Sequence, residues 1–286
     1  MADPGATPTL AGRRRDPAYF RFLERDGVDW DAWWDVLSGR VAGTIFRGAL
    51  APEVCERTCR RFWASPLTVS PPQAVRSTDR VAGPILVSSG SLDAYLDASE
   101  RARPGLDAIW EGPGPTLPDL LEDCRTHLAG LGVELRPAEH EGRQAAVFKV
   151  RSRADSETFG LLPHDDAPHG WMKPHLAGFE VIRVRPVCNA LTCLENGPGG
   201  ELVYWNAAPG PEDRRALGLP PGSYGYPLEA LEGVERITLE IRPGDVYVFD
   251  GGNVHAVAPS GRPDVRRTVA LWSTGLLDER TVLQWA

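Results

Sequence analysis

The chain has 286 residues, 42% hydrophobic and 24% charged, with 31 Lys and Arg against 39 Asp and Glu for a formal charge of −8. These values suit a soluble globular protein long enough to bury a substantial core. There is no basic stripe to neutralise a nucleic-acid backbone and no apolar run near the thickness of a bilayer, so neither partner is expected.

Residues 1–16 are rich in Pro, Gly and Ala, run into Arg13-Arg14-Arg15 and lack the apolar core of a secretory signal; a disordered N-terminal arm is expected. Residues 17–286 read as one domain, with a mostly helical layer over 17–140 and a β-rich core over 141–286. In the first part, 20–37 carries an apolar stripe (Phe22, Leu23, Trp30, Trp33, Trp34, Leu37) broken at Gly27, which reads as helical. A short strand is expected at 44–47, and Pro52 opens a helix to about residue 63, where its missing N–H costs nothing. A Pro/Ser-rich connection, 66–84, leads to further helices at 92–102 and 117–131.

From Gln144 onward the pattern changes to short apolar runs bounded by Gly, Pro, Asn or Asp. Strands are expected at 145–150, 179–184, 190–194, 201–205, 237–241, 246–249, 254–257 and 267–273, with a polar loop at 151–158 and a lead-in at 159–163. Eight or so such strands without a repeat period fit a jelly roll, a double-stranded β-helix. The Pro/Gly-rich stretch 210–225 reads as a loop at the barrel mouth.

The five cysteines, Cys55, Cys59, Cys124, Cys188 and Cys193, are odd in number and contain no C-x-x-C. They read as reduced thiols of a cytoplasmic protein and not as a disulfide framework or zinc site. Cys55 and Cys59 have helical spacing but no further ligand beside them.

His164 and Asp166 lie two apart, so on an extended segment both face the same side while Asp165 faces away. Pro243-Gly244-Asp245 feeds the strand at 246–249; the turn Asp250-Gly251-Gly252-Asn253 follows, and His255 lies on the returning strand. Two imidazoles and a carboxylate form a facial triad that leaves three positions of an octahedral metal open. His169 and His175 could replace His164, and Asp165 could replace Asp166; His127 and His140 read as structural. Eleven positions beyond His255, Arg266 and Arg267 compete as a fixed cation, with Thr268 sharing a strand face with Arg266.

These motifs, together with Gly199-Gly200-Glu201-Leu202 upstream, resemble those of the Fe(II)/2-oxoglutarate-dependent oxygenase superfamily, in a branch acting on free amino acids and small natural-product intermediates. The resemblance implies a jelly-roll enzyme using Fe(II), 2-oxoglutarate and O2 on a small molecule. It implies His164, Asp166 and His255 as metal ligands, and Arg266 with Thr268, the family's Arg-x-Thr pattern, on the distal carboxylate of 2-oxoglutarate. Related halogenases replace the acidic ligand with Gly or Ala, so Asp166 implies hydroxylation or desaturation.

Two other classes fit less well. A cupin-type metalloenzyme without 2-oxoglutarate would need a first H-x-H motif, which is absent, and Asp250 stands where its second motif has Pro. A non-catalytic binding barrel would have no use for the triad.

Overall fold

The computed structural model describes residues 9–71, 78–154, 159–166, 174–220, 225–260, 262 and 265–286. In chain order, β1 (Phe22–Asp26), α1 (Trp30–Leu37), β2 (Gly43–Arg47), α2 (Pro52–Ala64) and β3 (Arg80–Ala82) come first. Helices α3 (Leu92–Trp110) and α4 (Leu117–Gly130) follow, then β4 (Glu134–Pro137) and the small hairpin β5 (Glu139–His140) and β6 (Arg143–Gln144). The second half contains β7 (Lys149–Ala154), β8 (Leu161–His164), β9 (Val187–Glu195), β10 (Leu202–Trp205) and the short helix α5 (Pro211–Ala216). It ends with β11 (Arg236–Leu239), β12 (Val246–Asp250), β13 (His255–Val257), β14 (Arg266–Asp278) and β15 (Thr281–Trp285).

Apart from the β5–β6 hairpin, the strands form two facing sheets, the jelly-roll arrangement expected from the sequence. The major sheet runs β1-β2-β12-β9-β14-β15-β4, with β7 paired to β14 and β3 to β7; the minor sheet runs β11-β10-β13-β8. Side chains alternate between the two faces of the major sheet. Leu191, Cys193, Tyr247, Phe249 and Val269 pack inward with Leu202 and Tyr204 of the minor sheet. Ala190, Leu194, Val246, Val248, Ala270 and Trp272 face outward, where helices α1–α4 cover them.

Local chemistry fixes the helices. Asp29 caps α1 by accepting from the Ala32 amide at 3.0 Å, and Trp33, Val36 and Leu37 form its buried face. Pro52 opens α2 as expected, burying Val54, Cys55, Thr58 and Phe62. In α4, the Asp119 carboxylate accepts from the Thr116 amide at 2.8 Å and its hydroxyl at 2.6 Å.

Several expectations change. The stretch 20–37 is not one helix: Phe22–Asp26 is a strand, hydrogen-bonded parallel to β2, and Gly27 turns at φ +78° before α1 begins. Sheet pairing there outweighs the apolar stripe. Helix α3 continues through Pro104 to Trp110 because Leu106, Ile109 and Trp110 carry on its buried face. The strand expected at 145–150 begins only at Lys149, and 179–184 forms a short 3-10 turn at Glu180–Ile182.

The expected disordered arm is ordered from residue 9. Leu10 is buried and donates its amide to the Ala230 carbonyl at 2.7 Å, while Arg13 and Ala208 exchange backbone hydrogen bonds. The charge run hid that anchor. Residues 1–8, and His169, lie outside the described residues.

The expected mouth loop contains α5, whose Arg214 reaches back to the segment after β8. Asp165 Oδ2 accepts from Arg214 Nη2 at 2.8 Å and from the Tyr226 hydroxyl at 2.5 Å, and all three residues are buried. Asp165 does face away from Asp166, as parity requires, but into this ion pair and not into solvent. Removing one partner of a buried pair leaves an uncompensated charge. Asp165→Ala should therefore lower unfolding stability by about 3–5 kcal/mol, read as a lower urea midpoint, and adding Arg214→Met should recover part of that loss.

Candidate metal centre

Strand pairing brings the candidate ligands together. In the minor sheet β8 and β13 are antiparallel, and His164 lies directly opposite His255. The rings stand 4.3 Å apart, centroid to centroid. The chain then leaves β8, and the Asp166 amide donates to the Gly251 carbonyl across the gap at 2.8 Å. Gly251 permits that approach: a Cβ there would sit 3.3 Å from the Asp166 Cβ and 3.0 Å from the Asn189 amide nitrogen. In the same turn, Asp250 Oδ1 accepts from the Gly252 amide at 2.9 Å, and Asn253 Nδ2 donates to the Trp205 carbonyl at 2.9 Å.

Asp166 Oδ2 stands 3.2 Å from His255 Nε2 and 3.8 Å from His164 Nε2, and all three donor atoms lie within 4.8 Å of one another. Donors about 2.1 Å from a shared ion and at right angles would be about 3 Å apart, so the set can close on a metal. His164 Nδ1 donates to the Leu162 carbonyl at 2.7 Å and His255 Nδ1 to the Asn253 carbonyl at 2.9 Å. A carbonyl only accepts, so both Nε2 lone pairs face the cluster, the usual orientation of ligating histidines. Burial, reinforced by His255, pushes the pKa of His164 down to about 3 and keeps the ring neutral. Asn189, on the inward face of β9, donates to Asp166 Oδ2. Two imidazoles and one carboxylate suit a divalent cation. Among the described residues this is the one such cluster.

The two adjacent arginines lie on opposite faces of β14. On β14, Ala270 and Trp272 face the helices, and so do Arg266 and Thr268. Arg266 is exposed with its guanidinium 4.6 Å from the centroid of Trp63, and Thr268 Oγ1 is bonded to Ser152 at 2.9 Å and Glu195 at 2.8 Å. Neither reaches the barrel interior. Arg267 does: it is buried, donates to the Tyr247 hydroxyl and lines a cavity with Arg151, Gly160, Leu161 and Val257. The Arg-x-Thr pattern thus falls on the outer face, because inward and outward parity is set by β14's register against β9 and β7, which sequence does not reveal.

The remaining candidates fall elsewhere. His127 Nε2 lies 3.2 Å from Asp31, His140 is on β5, and His175 is in a 3-10 turn. The five cysteines are free thiols, with Cys55 and Cys59 on α2. Asn189, Tyr247 and two cations of β7, Lys149 and Arg151, also face the barrel interior, although no motif in the sequence marks them. Polar residues at alternate positions within apolar strands were the available signal.

No protein-family model matches the chain. Over 156 residues it is 30% identical to an L-isoleucine 3(1)-dioxygenase of Pantoea ananatis (strain AJ13355), covering 54% of this chain and 51% of that protein. The chain thus matches about half the length of this curated relative. The crystal structure of an N-substituted L-amino acid dioxygenase from Burkholderia ambifaria AMMD superposes with a TM-score of 0.57 at 12% identity, covering 90% of this chain and 91% of that one. Its complex with α-ketoglutarate (2-oxoglutarate) gives 0.55 at 15% identity, covering 92% and 97%. The chain thus shares the fold of an N-substituted L-amino acid dioxygenase crystallised with α-ketoglutarate, and over about half its length its sequence is similar to that of an L-isoleucine dioxygenase.

Proposed function

We propose that the protein is a single-domain Fe(II)- and 2-oxoglutarate-dependent dioxygenase that hydroxylates a small molecule, an amino acid or a natural-product biosynthetic intermediate. The observation that carries this reading is the His164–Asp166–His255 cluster, with both Nε2 lone pairs and a carboxylate oxygen converging in a buried barrel. The related isoleucine dioxygenase and the fold shared with an amino-acid dioxygenase support the substrate class. Free thiols at all five cysteines support a reducing, cytoplasmic setting.

In this reading the three side chains hold Fe(II), and Arg267 with Tyr247 holds the distal carboxylate of 2-oxoglutarate. With O2, the bound iron and co-substrate supply the oxidation, which yields hydroxylated product, succinate and CO2. The protein's own work is positional. The Leu162 and Asn253 carbonyls fix the two rings, Asn189 holds Asp166, and the Arg267 fork offers a carboxylate two parallel hydrogen bonds. Tyr204, Tyr247 and Phe249, all buried, keep water from the inner face.

Replacing His164, Asp166 or His255 by Ala should abolish stoichiometric iron binding, measured on anaerobically purified protein. Retention of iron by Asp166→Ala would remove that residue from the ligand set.

Arg267→Met should raise the 2-oxoglutarate concentration needed for half-maximal succinate release by well over tenfold, since losing a buried charge-assisted partner costs about 2–5 kcal/mol. Arg266→Met and Thr268→Val, on the outer face, should change it less than threefold. The reverse ranking would return the role to Arg266.

Turnover of a panel of free amino acids, L-isoleucine among them, in excess chloride should give product masses heavier by one oxygen, or lighter by two hydrogens for a desaturation. A chlorinated product would refute Asp166 as a ligand, because its carboxylate occupies the position a halide would need.

A further inference from the structure

The inner face of the barrel carries more positive charge than the triad and a co-substrate anchor require. On β7, Lys149, Arg151 and Arg153 alternate onto the side facing the minor sheet, opposite Leu271, Val269 and Arg267 of β14. Two of the four inward-facing cations on these strands are engaged: Arg153 donates to the Gly160 carbonyl at 2.9 Å, and Arg267 donates to Tyr247. Lys149 is 7% exposed, yet among the described residues neither it nor Arg151 has a hydrogen-bond or ion-pair partner.

Burial, and then Arg151, push the pKa of Lys149 down to about 7, with Asp166 pulling the other way. Its ammonium therefore lies within electrostatic reach of the candidate metal ligand, in the same compartment. A mostly buried ammonium with no ion-pair partner is costly, and an entering anion offsets that cost.

Lys149 is not placed to share the anion at Arg267. Its partner on β14 is Leu271, four residues along the strand from Arg267 and so roughly 13 Å away. The barrel thus has two cationic stations on one wall, at opposite ends of the β7–β14 ladder.

We propose that Lys149 binds the carboxylate of the primary substrate, so that the enzyme takes free carboxylic acids and rejects the same molecules amidated or peptide-bonded at that carboxyl. This rests on the proposed oxygenase function, which assigns Arg267 to 2-oxoglutarate. The Lys149 ammonium supplies charge and up to three donors.

The test pairs 3-methylbutanoate with its uncharged twin, 3-methylbutanamide. Binding of each is measured by calorimetry, anaerobically, to protein holding Fe(II) and saturating 2-oxoglutarate. The visible charge-transfer absorption of iron-chelated 2-oxoglutarate is recorded separately, without either probe. Wild-type protein should bind the acid at least tenfold more tightly than the amide. Lys149→Met should erase that preference, leave the absorption unchanged and not lower the unfolding midpoint, while Lys149→Arg should restore part of the preference. The inference is overturned if wild type shows no preference for the acid, or if the preference survives Lys149→Met. It is also overturned if Lys149→Met weakens the absorption, which would assign the lysine to the co-substrate. Absence of the absorption in wild type would refute the oxygenase reading, while the acid–amide comparison would still decide the role of Lys149.

Discussion

The site depends on one backbone arrangement, the antiparallel pairing of β8 with β13. That ladder sets His164 opposite His255, and their Nδ1 bonds to the Leu162 and Asn253 carbonyls aim both Nε2 atoms at one point. The third donor comes from a different kind of contact. Asp166 lies just beyond β8, where ladder geometry no longer controls it, and its amide is held instead by the Gly251 carbonyl. Any side chain at Gly251 would push against the Asp166 Cβ and the Asn189 amide. The Asp250–Asn253 turn therefore shapes the approach to His255 and also supplies the surface on which the third donor rests.

Neighbouring parts of the fold reinforce that geometry. Asp165 points the other way, into the buried pair with Arg214 and the Tyr226 hydroxyl, so the segment carrying two candidate ligands is held from both sides. Arg214 belongs to α5, so this pair ties the helix between β10 and β11 to the strand end that carries the candidate site. On the opposite wall, β9 contributes Asn189 inward while Ala190 and Leu194 pack under the helices. The helical layer thus stiffens the major sheet from outside without entering the barrel.

Charge within the barrel follows a consistent logic. The candidate ligands bring one carboxylate; β7 and β14 bring Lys149, Arg151, Arg153 and Arg267. Gathering cations in such an interior is costly unless anions accompany them. A co-substrate with two carboxylates and a substrate with one would neutralise much of it.

Much of the site was legible in the sequence because it rests on local rules. His164 and Asp166 share a face by the two-residue period of extended chain, and the Pro243-Gly244-Asp245 turn, strand, second turn and His255 follow one another within 13 residues. Pro52 at the first turn of α2 was equally readable. Sequence could not say which face of β14 looks inward, since Arg266 and Arg267 are adjacent and alternate by definition; pairing with β9 and β7 made that choice, and it favoured Arg267. Likewise the apolar stripe over 20–37 could not report that Phe22–Asp26 would gain a parallel partner in β2, or that Leu10 would find a buried seat against Ala230. Local periodicity thus determined which residues could act together in one segment. Only tertiary structure decided which segments meet and which face each turns inward, because register and burial are properties of pairs of strands and not of any single one.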